Sequence, residues 1–136
     1  MAKRQTSRKL AIFCLYQAEI QKNPVDKIIE NYLIPSEHSA EVKEFALFLA
    51  QNAAKKKDEA NKIIVKHSLN WDLDRLNPLD KCILYIALFE LRFTETPSSV
   101  VLNEAIEIAK KYSTEEAAKF INGILDSFIK ASCSLV

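Results

Sequence analysis

The residues with the most chemistry in this chain stand near its end, in Lys119-Phe120-Ile121-Asn122-Gly123-Ile124-Leu125-Asp126. Gly123 is the only glycine of 136 residues, and it sits inside an apolar-periodic stretch. In a helix interior glycine costs about 1 kcal/mol relative to alanine, because it gives up the most backbone freedom and packs nothing. At about 3.6 residues per turn, Ala117, Ile121, Ile124, Leu125 and Phe128 share one face, which must be the core face. Phe120 falls outside it, on a flank with Glu116, Lys119, Gly123 and Ser127. A ring, a cation and bare backbone together suit a flat, negatively charged ligand, and an unpaired nucleotide is one. The alternative is packing: Phe120 closes the edge of the core and Gly123 lets a neighbouring helix approach.

The second source of chemistry is the amino terminus. Residues 1–18 carry Lys3, Arg4, Arg8 and Lys9 with no acid, whereas the remainder holds 15 basic and 18 acidic side chains. The formal net charge of +1 hides this asymmetry. A basic arm on a near-neutral body suits a short stretch of phosphate backbone, and it is equally what a solubilising terminus looks like. If arm and ring serve one ligand, they should lie together on the folded surface.

Catalytic chemistry is missing. No nucleophile stands with a base, one glycine excludes a phosphate-cradling Gly-rich loop, and His38 and His67 lie far apart. Glu115-Glu116 follows Ser113-Thr114 and reads as a capping box. Cys14, Cys82 and Cys133 are odd in number and widely spaced, so neither a disulfide framework nor a zinc site fits, and they read as buried or idle thiols. The pattern is that of a binding protein, not an enzyme, with no cofactor and no metal. The amino terminus lacks the apolar core of a signal peptide, and the longest apolar run, residues 82–89, is too short to span a bilayer. The expected compartment is the cytoplasm.

The elements that must position these residues are helices. With 49% hydrophobic residues, four prolines and one glycine, few tight turns are available, which points to an all-α fold, and the periodic stretches make about seven helices in one domain or two small subdomains sharing a core. A first helix over residues 6–21 turns Leu10, Ala11, Phe13, Cys14, Leu15 and Ala18 inward, with Arg8, Ile12, Tyr16 and Glu19 along its edge. Asn23-Pro24-Val25-Asp26 starts a second helix, with Asn23 as cap and Pro24 in the first position, and Pro35 ends it. From Ser39 to His67 the apolar positions keep one phase without a breaker, predicting a bridging rod of about 39 Å with a solvated middle at Lys55-Lys56-Lys57-Asp58-Glu59. Trp71, Leu73 and Leu76 cover a turn. A central helix over 78–93, apolar nearly all round, follows Asn77; Thr96-Pro97 and Ser113-Thr114 open the last two.

Several of these motifs resemble one family. Pro97-x-x-Val100-x-Leu102-Asn103-Glu104-Ala105-Ile106-Glu107-Ile108-Ala109-Lys110-Lys111-Tyr112 followed by residues 119–126 is similar to the carboxy-terminal signature of the NusB family of bacterial transcription antitermination factors. Ser7-Arg8-x-x-Ala11-x-x-x-Leu15-Tyr16 resembles its first helix. Trp71-x-Leu73-x-Arg75-Leu76 and Asp80-x-x-Ile83-Leu84-x-x-Ala87-x-Phe89-Glu90-Leu91 resemble its middle section. The likeness implies a single domain over 1–136, with an amino-terminal subdomain at about 1–70 and a carboxy-terminal one at about 71–136. It also implies partners: NusE, a small-subunit ribosomal protein; boxA RNA, bound jointly with NusE; and the elongating RNA polymerase with other Nus factors, notably during ribosomal RNA synthesis. No membrane is involved, and the apolar faces are also compatible with a homodimer.

By the same resemblance, Lys3, Arg4 and Arg8 match an arginine-rich terminus that meets RNA. Lys119, Phe120, Asn122 and Gly123 match the segment that holds single-stranded bases. Tyr16 and Asp80 match positions near the NusE contact, although Tyr16 could edge the core and Asp80 could simply serve a helix start. Tyr85 stands where the family usually has arginine, and Ala117 where it often has serine. Two other classes fit the residues: a related helical domain precedes the catalytic part of some ribosomal RNA cytosine methyltransferases, and apolar helix faces could serve a protein-only adaptor.

Overall fold

The computed structural model describes residues 2–68 and 76–134, so Trp71, Leu73 and Arg75 lie outside the described residues, as does the side chain of Cys133. Within them every regular element is helical: α1 (Ala2–Gln21), α2 (Val25–Ile28) running into a π-helical turn (Ile29–Leu33), α3 (Ala40–Lys55), α4 (Lys57–His67), α5 (Pro78–Phe93), α6 (Ser98–Tyr112) and α7 (Glu115–Ser134). The all-α architecture is as the composition requires. Among the described residues no helix is long and apolar enough to cross a membrane.

Helix α5 is the axis of the fold. Residues 82–90 are all buried, and α1, α3, α4, α6 and α7 pack around them. An apolar run with no polar face has no other stable place than the centre. Its start is well capped: the Asn77 side chain accepts from the Leu79 amide at 2.8 Å and Pro78 occupies the first turn, where its missing N–H costs nothing. The matching motif at Asn23-Pro24 behaves differently. Pro24 itself is the cap residue of α2, no side chain caps the helix, and Asn23 turns to Gln21. The difference is that Lys22 takes a left-handed φ of 56°, which closes α1 and redirects the chain before Asn23 can cap.

The bridging rod is not straight. Lys56 departs from helical geometry, with φ −99° and ψ 12°, and divides the rod into α3 and α4. Hydrogen bonding nevertheless runs through the break, from the Lys56 amide to Asn52 and Ala53 and from the Ala60 amide to Lys56. An unbroken apolar phase therefore conceals a bend, located in the lysine cluster where no side chain is held in the core. The start of α7 also differs from expectation. Thr114, not Ser113, caps it by accepting from the Ala117 amide at 2.9 Å. Cys14 and Cys82 are free and buried, with burial pushing their thiols up to about 11 and about 12.

One ion pair ties the amino-terminal helix to the axis. Arg8 donates through Nε and Nη2 to the two oxygens of Glu90, at 2.6 and 2.9 Å, and the two residues are only 5% and 1% exposed. Beside it Ser7 donates to the Val42 carbonyl at 2.8 Å, fixing α1 against α3. These residues rotate α1 relative to expectation: Ile12 is buried, while Phe13 is 46% exposed. Polar positions 7 and 8 turn inward because each finds a buried partner, and Phe13 is carried out to the surface. Arg8→Ala should cost about 3–5 kcal/mol in urea unfolding by stranding Glu90, whereas Arg8→Met with Glu90→Leu should recover most of that loss.

Candidate RNA and partner interfaces

Helix α7 buries Ala118, Ile121, Ile124 and Leu125, while Ala117 and Phe128 are only partly covered. The core face is thus turned slightly from the one the periodicity suggests, toward Ala118. Phe120 is partly buried against the core and also lines a cleft of about 320 Å³ with Lys66, His67, Ser68, Lys119, Gly123, Ile124 and Ser127. Among the described residues, a methyl group built on Gly123 would meet nothing within 4 Å. No described helix therefore needs the glycine for a close approach, and its backbone lies exposed along the cleft.

His67, at the end of α4, forms the opposite wall of that cleft. Its Nδ1 lies 2.7 Å from Ser127 Oγ, and its ring meets Phe128 edge-on at 5.9 Å. Burial and the neighbouring Lys66 hold it below the ordinary histidine value of 6.5, which favours the neutral imidazole. Lys119 stands on a ridge between this cleft and a second one, of about 290 Å³, lined by Ile106, Lys110, Glu115, Ala118 and Asn122. Phe120 and Gly123 accordingly face α4, Asn122 faces α6, and Lys119 serves both. Lys66, His67 and Lys110 are cleft residues that sequence reasoning did not single out, because they come from other helices.

The basic arm lies elsewhere. Lys3 is exposed and donates to Glu41 at 2.8 Å, and the Arg4 guanidinium sits 4.3 Å over the Phe45 ring. Arm residues pack on the start of α3 and the end of α5, whereas the Phe120 cleft lies between α4 and α7. The expected single face of arm and ring is thus divided over different elements. Arg8 needs a correction: both ends of its guanidinium are engaged by buried Glu90, so it anchors the arm from beneath and does not offer a surface charge to a phosphate.

Tyr16 and Asp80 are brought to one end of the molecule. Tyr16 lines an apolar groove of about 370 Å³ with Lys9, Leu10, Ile12, Phe13, Leu79, Ile108 and Tyr112. Phe13 and Tyr112 are exposed at its rim. Asp80, adjacent to Leu79, is buried, and its Oδ1 has no hydrogen-bond partner among the described residues. It is a residue beneath the groove, not an open acid on it. Tyr85, in the arginine position, donates to Asn61 Oδ1 at 2.7 Å and so joins α5 to α4. Among the described residues no group of His, Cys, Asp and Glu side chains could hold a metal ion.

A family model described as the NusB family matches residues 5–130. The chain belongs to the NusB family. The transcription antitermination protein NusB of Methylacidiphilum infernorum is 40% identical over 134 residues, covering 97% of this chain and 94% of that protein. Among solved structures, T. maritima NusB superposes with a TM-score of 0.85 at 33% identity, over 93% of this chain and 90% of the other. A complex of the antitermination factors NusB and NusE with double-stranded RNA contains a chain at TM-score 0.86 and 27% identity, over 96% and 98%.

Two outcomes follow from the site's physics. Gly123→Ala should raise unfolding stability by about 1 kcal/mol, since helix propensity improves and no described residue clashes, while RNA affinity falls if backbone is the seat of a base. Burial, opposed by the Ser113 hydrogen bond, pushes the Asp80 carboxyl above its ordinary 3.8, so the folded state binds that proton more tightly than the unfolded one. Stability then falls as pH rises through that window and stays reduced above it. Asp80→Asn should melt higher than the native protein at about pH 7, with the advantage vanishing towards about pH 3.

Proposed function

We propose that this protein is a cytoplasmic transcription antitermination factor that binds boxA-type single-stranded RNA jointly with NusE and joins the elongating RNA polymerase with other Nus factors. It acts as one RNA-binding domain over residues 1–136 and by binding, not by catalysis. The observation that carries this reading is the placement of the chain's one glycine on exposed helix surface beside Phe120 and Lys119, where it costs stability and relieves no clash with any described residue. A base settled against Phe120 could approach the backbone at Gly123, with Lys119 meeting a phosphate and Asn122 reading a neighbouring edge on the far side of the ridge. Lys3 and Arg4 supply further phosphate contacts. The related complex contains double-stranded RNA. A single strand is favoured here because duplex bases stack on one another and leave no face for a protein ring.

The apolar groove is the seat for NusE. It combines exposed aromatic anchors, Phe13 and Tyr112, with a partly buried Tyr16, the composition that carries most energy in protein contacts. Asp80 lies beneath the groove, next to Leu79 of its lining. RNA cleft and protein groove lie on different helices, so both partners can be held at once.

Titration of labelled boxA RNA with and without NusE tests the reading. RNA should bind more tightly with NusE present, and Phe120→Ala should cost about 1–3 kcal/mol of RNA affinity. Unchanged affinity together with a lower melting temperature would assign Phe120 to the core edge. Phe13→Ala and Tyr112→Ala should each weaken NusE binding about tenfold and leave binding of RNA alone unaltered. A protein-only adaptor would show no gain in RNA binding from NusE.

A further inference from the structure

Between α3 and α5 runs a line of four rings that neither the Phe120 cleft nor the NusE groove uses. Phe45 and Phe48 are stacked at 6.3 Å, Phe48 meets Phe89 edge-on at 5.5 Å, and Phe89 meets Phe93 at 5.4 Å. Phe89 is buried, but Phe48 and Phe93 are 40% and 45% exposed. Cations sit at both ends. The Arg4 guanidinium lies 4.3 Å over Phe45; Lys56 and Arg92 lie 5.1 and 4.6 Å from the Phe93 ring centre. Two acids at these ends, Glu41 and Glu59, are already paired with Lys3 and Arg92. From Phe45 to Lys56 the helix rises about 17 Å, so the line is long enough for more than one base.

Single exposed rings need no explanation, but rings that run on from one another across a surface mark a contact site. Here the charge pattern says which. Rings flanked at both ends by cations, one of them from the acid-free residues 1–18, offer stacking and phosphate neutralisation in one track, which is the chemistry of sequence-tolerant single-strand binding. We infer that the exposed Phe48 and Phe93 rings of this line, joined by buried Phe89 and edged by Arg4, Lys56 and Arg92, form a second platform that holds single-stranded RNA flanking the boxA segment. It rests on the RNA-binding reading above and extends it: the arm's aromatic neighbours are these rings, and Phe120 is a separate anchor on α7. The platform takes bases by their faces and so adds affinity for flanking RNA of any sequence.

Two RNAs separate this platform from the cleft: the boxA segment alone, and the same segment with about ten uridines on each side. Phe48→Ala and Phe93→Ala should each lower affinity for the extended RNA about fivefold or more and leave boxA alone within about twofold. Phe48→Trp should retain the extended-RNA affinity. In the native protein, 4-thiouridine placed in the flanks should cross-link to the segments bearing Phe48 or Phe93, a readout that needs no variant to fold. Extended RNA bound no better than boxA alone, with no such cross-link, overturns the platform. Loss of NusE affinity in these variants with RNA affinity intact would make the line a protein contact and also overturn it. Loss of boxA binding in Phe120→Ala, with flank binding unaffected, leaves the cleft and the platform each standing on its own evidence. Absence of binding to either RNA by the native protein, with or without NusE, sinks both readings together.

Discussion

The buried pair of Arg8 and Glu90 governs the rest of the structure. Placing two full charges in a low-dielectric interior is expensive, and the geometry that compensates for it admits one arrangement only: both guanidinium donors on both carboxylate oxygens. That arrangement fixes the rotation of α1 about its own axis. Once Arg8 points inward, Ile12 follows one turn later, Phe13 must face out, and Tyr16 takes the edge. The apolar groove between α1, α5 and α6 is therefore a consequence of an ion pair elsewhere. So is the position of Lys3 and Arg4, which the same helix carries out over α3.

Much of this was legible from residue order. The central helix was, because an apolar run without a polar face has only one place to go, and its Asn77-Pro78 start follows from local hydrogen-bonding rules. Gly123 was also legible as an anomaly. The inward turn of Arg8 was not, since nothing in the chain announces that a charge at position 8 will find its partner at position 90. Periodicity misassigned Phe13 for the same reason: a helical wheel treats arginine as surface and rotates the face accordingly. The capping of α7 by Thr114 in place of Ser113, and the left-handed Lys22 that spoils the Asn23 cap, are decisions of one residue's backbone. Propensity does not resolve them.

The candidate site was legible as residues but not as a place. Lys119, Phe120, Asn122 and Gly123 are consecutive enough to look like one patch, yet a helix distributes them over two flanks with Lys119 on the crest. His67 and Lys66 complete the cleft from a helix about fifty residues earlier in the chain, which only tertiary packing supplies. The arm does not meet the Phe120 ring as one shared face would require; its Arg4 lies instead over Phe45, at 4.3 Å, a neighbour on α3 that no spacing in the sequence announces.

The bend at Lys56 has a geometrical meaning for the molecule's two ends. Helix α3 carries the rings beside the arm, and α4, eleven residues long, carries His67 at its tip. One ψ angle in the joint between them aims a lever of about 16 Å. Lys56 also sits over the Phe93 ring, so the joint is braced from the side of α5. The spacing between the arm and the far cleft is in this sense a ruler whose setting resides in a single half-buried lysine and the aromatic face it rests on.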